Sequence, residues 1–315
     1  MTDVNRGLCF SPPVPYKRIM AINTIPWLKM NGLGNEILVL DLRGSGWAMS
    51  AAQIRLLAHR ADTRFDQLMA LHDARSPGEH AFVRIYNADG SEAEACGNGN
   101  RCVAWALARE TGRETVAFKT AAGVIEALVA SPNAITVEMG TPRFGWREIP
   151  LARAMDTNAL DYAIEWGGGK ALCSPSAVNV GNPHCIFWVK DVATIPLAEM
   201  GPRVEHDPLF PERVNVSFAQ VITPDRITLK VWERGAGATK ACGTAACATA
   251  VAAARRGLAA RDVTVTLPGG DLRIRWRESD GRILMTGPAE LEASGFLDAA
   301  TVFAQTAPHA AAAGG

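Results

Sequence analysis

Alternating apolar and polar positions run through most of the chain and predict many short β-strands. Successive side chains of a strand point to opposite faces of a sheet, so this alternation is typical of sheets with one buried face. The segments are separated by clusters of Gly, Pro, Asn and Asp, which favour turns. The clearest predicted strands are residues 37–41, 81–86, 134–139, 186–191, 227–232 and 263–267.

Apolar residues at helical spacing are less frequent. They predict helices near 50–59, 100–110 and 244–256, and one turn near 194–200. The stretch from Ala241 to Ala254 contains no charged residue and is too short to span a membrane, so it is predicted to be a buried helix. Many short strands around one long buried helix in each half indicate an α+β fold.

The pattern occurs twice along the chain. Gly34-Asn35 and Gly181-Asn182 each precede a strand-like segment that ends in Asp, and each lies at nearly the same spacing before an Ala-Cys-Gly sequence. Pro142 and Pro288 follow the two cysteines at identical spacing. Three matching spacings in the same order indicate two homologous domains related by internal duplication.

The domain boundary is predicted near 141–150, where prolines flank a segment without clear periodicity. The first residues are Pro-rich and non-periodic, and the last are mostly Ala and Gly, so both ends are expected to be flexible. The predicted units are an extension over 1–24, a first domain over 25–145, a second domain over 146–300 and a tail over 301–315.

Composition narrows the class of protein. Lys plus Arg and Asp plus Glu both number 32, so no overall positive charge favours nucleic acid or an anionic membrane. We therefore expect a small-molecule partner, no nucleic acid and no membrane. The start of the chain lacks the apolar segment of a secretory signal, and the seven cysteines are an odd number. These features predict a reducing, cytoplasmic location.

Two cysteines precede small-residue turns that open apolar helices, in Cys96-Gly97-Asn98-Gly99 and in Cys242-Gly243-Thr244. The start of a helix has free N–H groups and a partial positive charge, which favour a thiolate and bind a carboxylate. Two such cysteines, one from each homologous domain, could remove a proton from one face of a carbon and return a proton to the other face. The alternative is a buried, inert cysteine at each helix cap, the commoner role of a single Cys.

Other polar residues allow two interpretations each. Glu233-Arg234 ends a strand before a Gly-rich turn and suits a zwitterionic ligand, but it could also be a solvated surface pair. His184 could adjust the proton affinity of a thiol or be structural. Asn215 interrupts a strand-like alternation as either a ligand contact or a buried network residue.

Several motifs are absent from the sequence. The cysteine spacings are not those of zinc sites, and there is no phosphate-binding Gly-Lys-Ser/Thr loop or dinucleotide fingerprint. Nothing marks a pyridoxal lysine. We therefore expect no metal and no cofactor.

As an ordered set, seven segments resemble diaminopimelate epimerases over about residues 27 to 290. The resemblance implies two similar α+β domains, each a β-barrel-like sheet around a central helix, with the active site between them and the last strand, after about 288, returning to the first domain. It implies cofactor-independent epimerisation of LL-diaminopimelate to meso-diaminopimelate in lysine and peptidoglycan precursor biosynthesis. The segments are 29–35, 66–67, 86–91, 96–99, 181–184, 233–237 and 241–244.

The resemblance also assigns roles to individual residues. Cys96 and Cys242 match the family's thiol acid and thiolate base, and His184 and Glu233 match positions that assist them. The positions that match substrate-binding residues of the family are Asn35, Gln67, Asn87, Gly97, Asn98, Asn182, Asn215, Glu233, Arg234, Gly243 and Thr244.

The sequence departs from the family pattern at a few positions. Asn31 stands where the family usually has His, and Asp62 and Arg64 replace two glycines before Asp66-Gln67, so this loop is expected to follow a different backbone path. Asn100 and Ala245 replace smaller residues in the two cysteine loops.

Two other functions remain open. The nearest alternative is a proline racemase or another amino-acid isomerase of the same fold. Proline, however, has no distal head group that the Glu233-Arg234 pair could bind. A redox-regulated binding protein whose two cysteines form a disulfide is a different class, and it would show no steady turnover under reducing conditions. A homodimer is compatible with the resemblance.

Overall fold

The computed structural model describes residues 23–93, 95–167 and 169–303. The predicted N-terminal extension therefore lies outside the described residues except for Asn23 and Thr24. Of the predicted tail, residues 304–315 also lie outside them, whereas residues 301–303 belong to a short helix.

The described part of the first half contains eight strands and two helices. The helix Ala51–His59 begins with a capping box, in which Ser50 and Gln53 satisfy each other's backbone N–H groups. The elements are β1 (Thr24–Asn31), β2 (Glu36–Asp41), α1 (Ala51–His59), β3 (Gln67–His72), β4 (Phe82–Asn87), β5 (Glu92–Ala93), α2 (Gly97–Thr111), β6 (Thr115–Thr120), β7 (Gly123–Ser131) and β8 (Ala134–Glu138).

Within residues 163–303 as described, the second half contains eleven strands, three α-helices and one short 3₁₀ helix, Val192–Thr194. Its elements are β9 (Ala163–Trp166), β10 (Lys170–Cys173), β11 (Ser176–Asn179), β12 (Pro183–Trp188), α3 (Leu197–Glu205), β13 (Asn215–Thr223), β14 (Arg226–Glu233), β15 (Gly237–Ala238), α4 (Gly243–Arg255), β16 (Asp262–Leu267), β17 (Gly270–Trp276), β18 (Ile283–Gly287), β19 (Glu290–Asp298) and α5 (Ala299–Phe303).

Strand pairing repeats from one half to the other. In the first half β2 is parallel to β3, β4 is antiparallel to β3 and parallel to β6, and β7 and β8 follow as antiparallel neighbours. In the second half β12, β13, β14, β16, β17 and β18 pair in the same order and directions up to β18. The predicted α+β fold with two repeated domains is confirmed.

Two ladders join the halves. Strand β8 is antiparallel to β18, which makes one 17-stranded sheet. Strand β19 leaves the second half and runs antiparallel to β1 from Thr24↔Asp298 to Asn31↔Glu290. Strands β9 and β10 form a separate hairpin.

Each half has one enclosed helix. Helix α2 packs against β2, β3, β6, β7 and β8, and α4 packs against strands from β11 to β18. Every residue from Gly243 to Ala253 of α4 is buried. One apolar core contains residues of both helices, whereas α1 and α3 pack over separate clusters on the outer faces.

The sequence predictions for α1, α2 and α4 are confirmed to within a few residues, but two segments differ. Strand β12 starts at Pro183 and ends at Trp188, because Asp191 instead caps the 3₁₀ helix by accepting a bond from the Ala193 N–H. The single helical turn predicted near 194–200 overlaps the nine-residue helix α3, which begins at Leu197 and continues through Gly201 and Pro202. Gly201 is required there, because a Cβ would overlap the Trp232 ring.

No helix within the three described ranges has the length and apolar character needed to cross a membrane.

Candidate active site

The two cysteine-bearing helices meet at their N-termini. Cys96 and Cys242 are the N-cap residues of α2 and α4, each in extended conformation, and both are buried. A Cβ on Gly243 would lie 3.6 Å from the Gly97 Cα and 2.9 Å from the Met285 Sδ. A Cβ on Gly97 would lie 2.7 Å from the Met285 Cε. The small glycines therefore let the two helix starts come into van der Waals contact, with the end of the Met285 side chain packed against both.

A hydrogen bond also crosses between the two cysteine loops. The buried Asn98 side chain donates from Nδ2 to the carbonyl oxygen of Ala241, the residue before Cys242, at 3.3 Å. The loop after β1 covers this contact, because a Cβ on Gly32 would lie 3.0 Å from the Asn98 Cβ. The helix N-termini of the two halves are thus held together by polar as well as apolar contacts.

Cys96 has a partly cationic environment. Its Sγ accepts a hydrogen bond from the Gly99 N–H at 3.1 Å. Burial raises the pKa of the Cys96 thiol to about 11, the Gly99 N–H and the charge of Arg101 act in the opposite direction, and the Glu233 charge adds a smaller rise. Cys96 is therefore a protonated thiol at neutral pH, with groups beside it that stabilise a thiolate.

Cys242 has an anionic neighbour instead. Its Sγ lies 3.4 Å from the Thr244 Oγ1, and its thiol donates a hydrogen bond to the Glu233 carboxylate. Burial and the Glu233 charge raise the pKa of Cys242 well above its ordinary value. Burial also raises the pKa of Glu233, against the hydrogen bond that Thr239 donates to its Oε1 at 2.5 Å. A group able to take up the thiol proton thus lies beside Cys242.

A second polar cluster surrounds Asn215. Its side chain donates to the Pro183 carbonyl at 2.9 Å and accepts from the Arg234 N–H at 2.9 Å. Asn215 lies opposite His184 in the parallel β12–β13 ladder. Its side chain is therefore a buried network member that fixes the backbone at Arg234, whose guanidinium donates to the Glu212 carbonyl at 3.2 Å and is exposed.

His184 is fully buried within this second cluster. Its Nε2 lies 2.8 Å from the Asn182 Oδ1, and its Nδ1 has no hydrogen-bond partner among residues 23–93, 95–167 and 169–303. Burial, and then the Arg234 charge, lower the pKa of His184 to about 3. The imidazole is therefore neutral. The charged groups that act on the two reactive thiols are Arg101 and Glu233, and His184 is not one of them.

Three predicted substrate-binding residues lie at one end of the first-half sheet. Gln67 begins β3 and donates from Nε2 to the Oδ1 of Asn87 at 3.2 Å, where β4 ends. Asn35 immediately precedes β2, which is parallel to β3, and its Oδ1 is buried without a partner in the described part of the chain. Met69 shares a face with Gln67 and contacts the position of a Cβ on Gly99. This face is therefore directed towards the start of α2.

The positions that depart from the family pattern form local contacts. Asn31 accepts from the Gly34 N–H at 2.7 Å and donates to the Glu292 carboxylate at 3.0 Å, which fixes the loop after β1. Asp62 pairs with Arg60, and Arg64 pairs with Glu36. Gln67 remains beside Asn87 with this loop in place.

Sequence reasoning missed Glu205, at the end of α3. Its side chain is 3% exposed, and its two oxygens accept from the Trp232 Nε1 at 2.7 Å and from the Gly235 N–H at 2.9 Å. These bonds hold the chain on both sides of Glu233-Arg234. A carboxylate on the apolar face of a helical segment was the available signal, but Gly201 and Pro202 obscured that helix.

In the described ranges, no group of three or more His, Cys, Asp or Glu side chains is arranged to hold a metal ion.

Comparison with solved structures shows the fold class. A hydroxyproline epimerase from Agrobacterium vitis, with bound trans-4-hydroxy-L-proline, is similar with a TM-score of 0.60 at 15% sequence identity. The similarity covers 88% of this chain and 93% of that one. At this identity, the shared feature is the duplicated fold.

Sequence comparison is more specific. The family model for diaminopimelate epimerase matches residues 27–145 and 176–292, so the chain belongs to the diaminopimelate epimerase family, a family of isomerases. The diaminopimelate epimerase of Methylocella silvestris is 53% identical over 281 residues, covering 89% of this chain and 97% of that protein. The diaminopimelate epimerase of Brucella melitensis biotype 1 is 51% identical over 275 residues, which cover 87% of this chain and 90% of that protein.

The contacts of Glu205 lead to a prediction about the Glu233-Arg234 loop. Replacing Glu205 with Ala removes both acceptors and leaves the Trp232 and Gly235 N–H groups unpaired, so we expect a loss of about 1–3 kcal/mol in the free energy of unfolding. We also expect kcat/KM to fall about 10- to 100-fold, or about 1.4–2.8 kcal/mol. Glu205→Gln retains one acceptor oxygen, so its free energy of unfolding and its kcat/KM should lie between those of the wild type and of Glu205→Ala.

Urea unfolding and steady-state kinetics measure these effects. Glu199→Ala is the matched control, because Glu199 lies on the same helix, is exposed and pairs only with Arg203 among the described residues. Wild-type kinetics in Glu205→Ala would show that the loop holds its position without this carboxylate.

Proposed function

We propose that this chain epimerises LL-diaminopimelate to meso-diaminopimelate, with Cys96 and Cys242 as the two proton-transferring groups and without a cofactor. Membership of the diaminopimelate epimerase family supports the reaction. The observation that carries the assignment of the residues is the convergence of two buried thiols at the N-termini of α2 and α4, where Gly97 and Gly243 pack on the same methionine. The substrate carbon would lie between these thiols.

In the LL direction Cys242 is the base and Cys96 the acid. Glu233 takes up the Cys242 proton as the thiolate forms, which accounts for the carboxylate beside this thiol. The thiolate then removes the α-proton, and the Cys96 S–H delivers its proton to the opposite face of the carbon. After one turnover Cys242 is a thiol and Cys96 a thiolate, so the reverse reaction uses the same pair with exchanged roles.

The carbanion needs stabilisation because the α-ammonium forms no imine. Backbone N–H groups following each cysteine, from Gly97 and Asn98 and from Gly243 and Thr244, would bind the α-carboxylate. Fixed dipoles aimed at developing charge are worth most in a dry site, and both helix N-termini are buried. Neutral His184 donates from Nε2 to the Asn182 Oδ1, so its unpaired Nδ1 would contribute as the acceptor of one hydrogen bond.

The distal amino-acid head group would be bound by the polar clusters on either side. Arg234 would bind the distal carboxylate, because its guanidinium offers a planar pair of donors. The substrate would enter beside Glu233, and a substrate without a distal head would leave these groups unpaired. The remaining proposed contacts are Asn35, Gln67, Asn87, Asn182 and Asn215.

The proposed domain limits are 25–145 and 146–300, with β19 completing the first-half sheet beside β1.

We also propose a cytoplasmic location, as expected for a biosynthetic enzyme that depends on two free thiols. A homodimer is proposed from the resemblance to the family alone.

A substrate assay tests the proposed function. The purified protein, kept in reductant, should convert LL-diaminopimelate to the meso form, measured by chiral chromatography, and should leave L-proline and trans-4-hydroxy-L-proline unchanged. Turnover of a proline substrate alone would favour the proline racemase-like alternative. Absence of turnover with every substrate, together with ligand binding that depends on a Cys96–Cys242 disulfide, would favour a binding protein.

The two thiols should both be essential. Cys96→Ala and Cys242→Ala each remove an acid in one direction and a base in the other, so activity should fall by about a thousandfold or more. Cys102→Ala and Cys247→Ala are matched controls, because these buried cysteines lie farther along the same helices, and they should keep most activity. A Cys96→Ala or Cys242→Ala protein with more than about a tenth of wild-type kcat would remove that residue from the mechanism.

Isotope labelling distinguishes two bases from one. When LL substrate reacts in D₂O, deuterium should appear in the product well before it appears in recovered substrate. The reason is that the Cys96 thiol carries a solvent-derived deuteron, whereas Cys242 retains the abstracted proton. The meso substrate should behave in the same way with the roles exchanged. Mass spectrometry of both pools at low conversion measures this asymmetry. Equal early labelling of substrate and product would indicate a single base.

A further inference from the structure

Arg101 is a fully buried cation in the second turn of α2. Its exposed fraction is 0%, and no carboxylate in the described ranges forms an ion pair with it. An arginine stays protonated, and burying a charge without a counter-ion costs several kcal/mol unless other polar groups compensate. The polar groups that compensate the charge are therefore informative.

The guanidinium contacts four groups around the two cysteine loops. Its Nε donates to the Pro288 carbonyl at 3.0 Å and its Nη2 to the Asn98 Oδ1 at 3.0 Å. Its Nη1 lies 3.5 Å from the Gly97 carbonyl oxygen and 3.8 Å from the Met285 Sδ. Three of these residues, Gly97, Asn98 and Met285, are those through which α2 and α4 meet.

Arg101 also determines which way the Asn98 amide faces. Because Nη2 can only donate, it requires the Asn98 oxygen on its own side, which leaves Nδ2 to donate to the Ala241 carbonyl. Ala241 precedes Cys242. One chain of hydrogen bonds therefore runs from the buried guanidinium through Asn98 to the loop of the opposite cysteine.

The charge itself acts on the thiols. Besides Cys96, Arg101 lies close enough to Cys102 and Cys247 to affect both electrostatically. Burial raises the pKa of Cys102 to about 12 and the Arg101 charge opposes the rise, as it does at Cys96. Of these three thiols only Cys96 also accepts a helix N-terminal N–H bond, from Gly99.

We propose that Arg101 is a positioning residue for the epimerisation, which holds the two cysteine-bearing helix N-termini in register through Asn98 and provides the fixed positive charge beside which Cys96 alternates between thiol and thiolate. This inference rests on the proposed function for its kinetic consequences only. The effect on Cys96 ionisation holds whatever the substrate is.

Two substitutions separate charge from geometry. Arg101→Met removes the charge and all donors but keeps a flexible apolar side chain of similar length, and apolar replacement of buried charges is often neutral for stability. Arg101→Lys keeps the charge but loses the planar fork that orients Asn98. Arg109→Met is the matched control, because Arg109 lies two turns farther along α2, over the Trp105 ring.

The first measurement needs no turnover. Peptide mapping of iodoacetamide labelling gives the rate of Cys96 alkylation against pH. Removing a nearby cation raises a thiol pKa, so in Arg101→Met the profile should move to higher pH, with labelling at pH 8.5 slower by about 3- to 30-fold. Arg101→Lys and Arg109→Met should stay close to wild type. An unchanged profile in a folded Arg101→Met protein, or in Arg101→Gln if Met does not fold, would overturn the electrostatic role.

The second measurement is kinetic. With diaminopimelate, kcat should fall about 100-fold or more in Arg101→Met and about tenfold in Arg101→Lys, with KM changing less than kcat. Because Arg101→Lys acts through Asn98, the double variant Arg101→Lys with Asn98→Ala should have a kcat no lower than that of Asn98→Ala alone. A wild-type kcat in Arg101→Lys would overturn the positioning role, and so would losses in kcat that are fully additive in the double variant. An inactive wild-type protein with the expected alkylation shift would instead reject the proposed function and retain the electrostatic role.

Discussion

The contact between the starts of α2 and α4 is the constraint on which the rest of the site depends. The two helix starts are in van der Waals contact, and the end of the Met285 side chain fills the space against both Gly97 and Gly243, where a Cβ would displace it. Because each helix begins at a cysteine, this contact brings two thiols and two sets of free N–H groups into one buried region. The repeated sheets serve to enclose these helices and direct their N-termini towards each other.

Duplication has given the two cysteines the same backbone setting but different charges. Cys96 has an N–H donor and a buried guanidinium, whereas Cys242 has a carboxylate and a hydroxyl. A symmetric pair would have no preferred resting distribution of protons. Burial holds both thiols protonated, and the differing neighbours give each thiol a separate way of forming a thiolate.

Much of this arrangement follows from the sequence because it is local. The helix starts at Cys96 and Cys242, the central helix α4 and the repeat all leave a pattern of Gly, Cys and Ala at fixed spacing. The contacts that Glu205 and Asn98 make to other segments leave no such fixed spacing, because they arise where distant segments meet. The strand start at Pro183 and helix α3 around Gly201 were also obscured, since both contain residues that usually end such elements. The sequence indicates which residues are chemically distinctive, whereas tertiary contacts decide what they touch.

The pairing of β1 with β19 has a consequence for the order in which the protein forms. Thr24 lies beside Asp298 in this ladder, so β1 pairs with a strand that is separated from it by nearly the whole described chain. Contacts of such long sequence separation make folding slow, and an edge strand that is not yet covered is exposed to aggregation. The sheet of the first domain is therefore complete only after β19 has paired with β1.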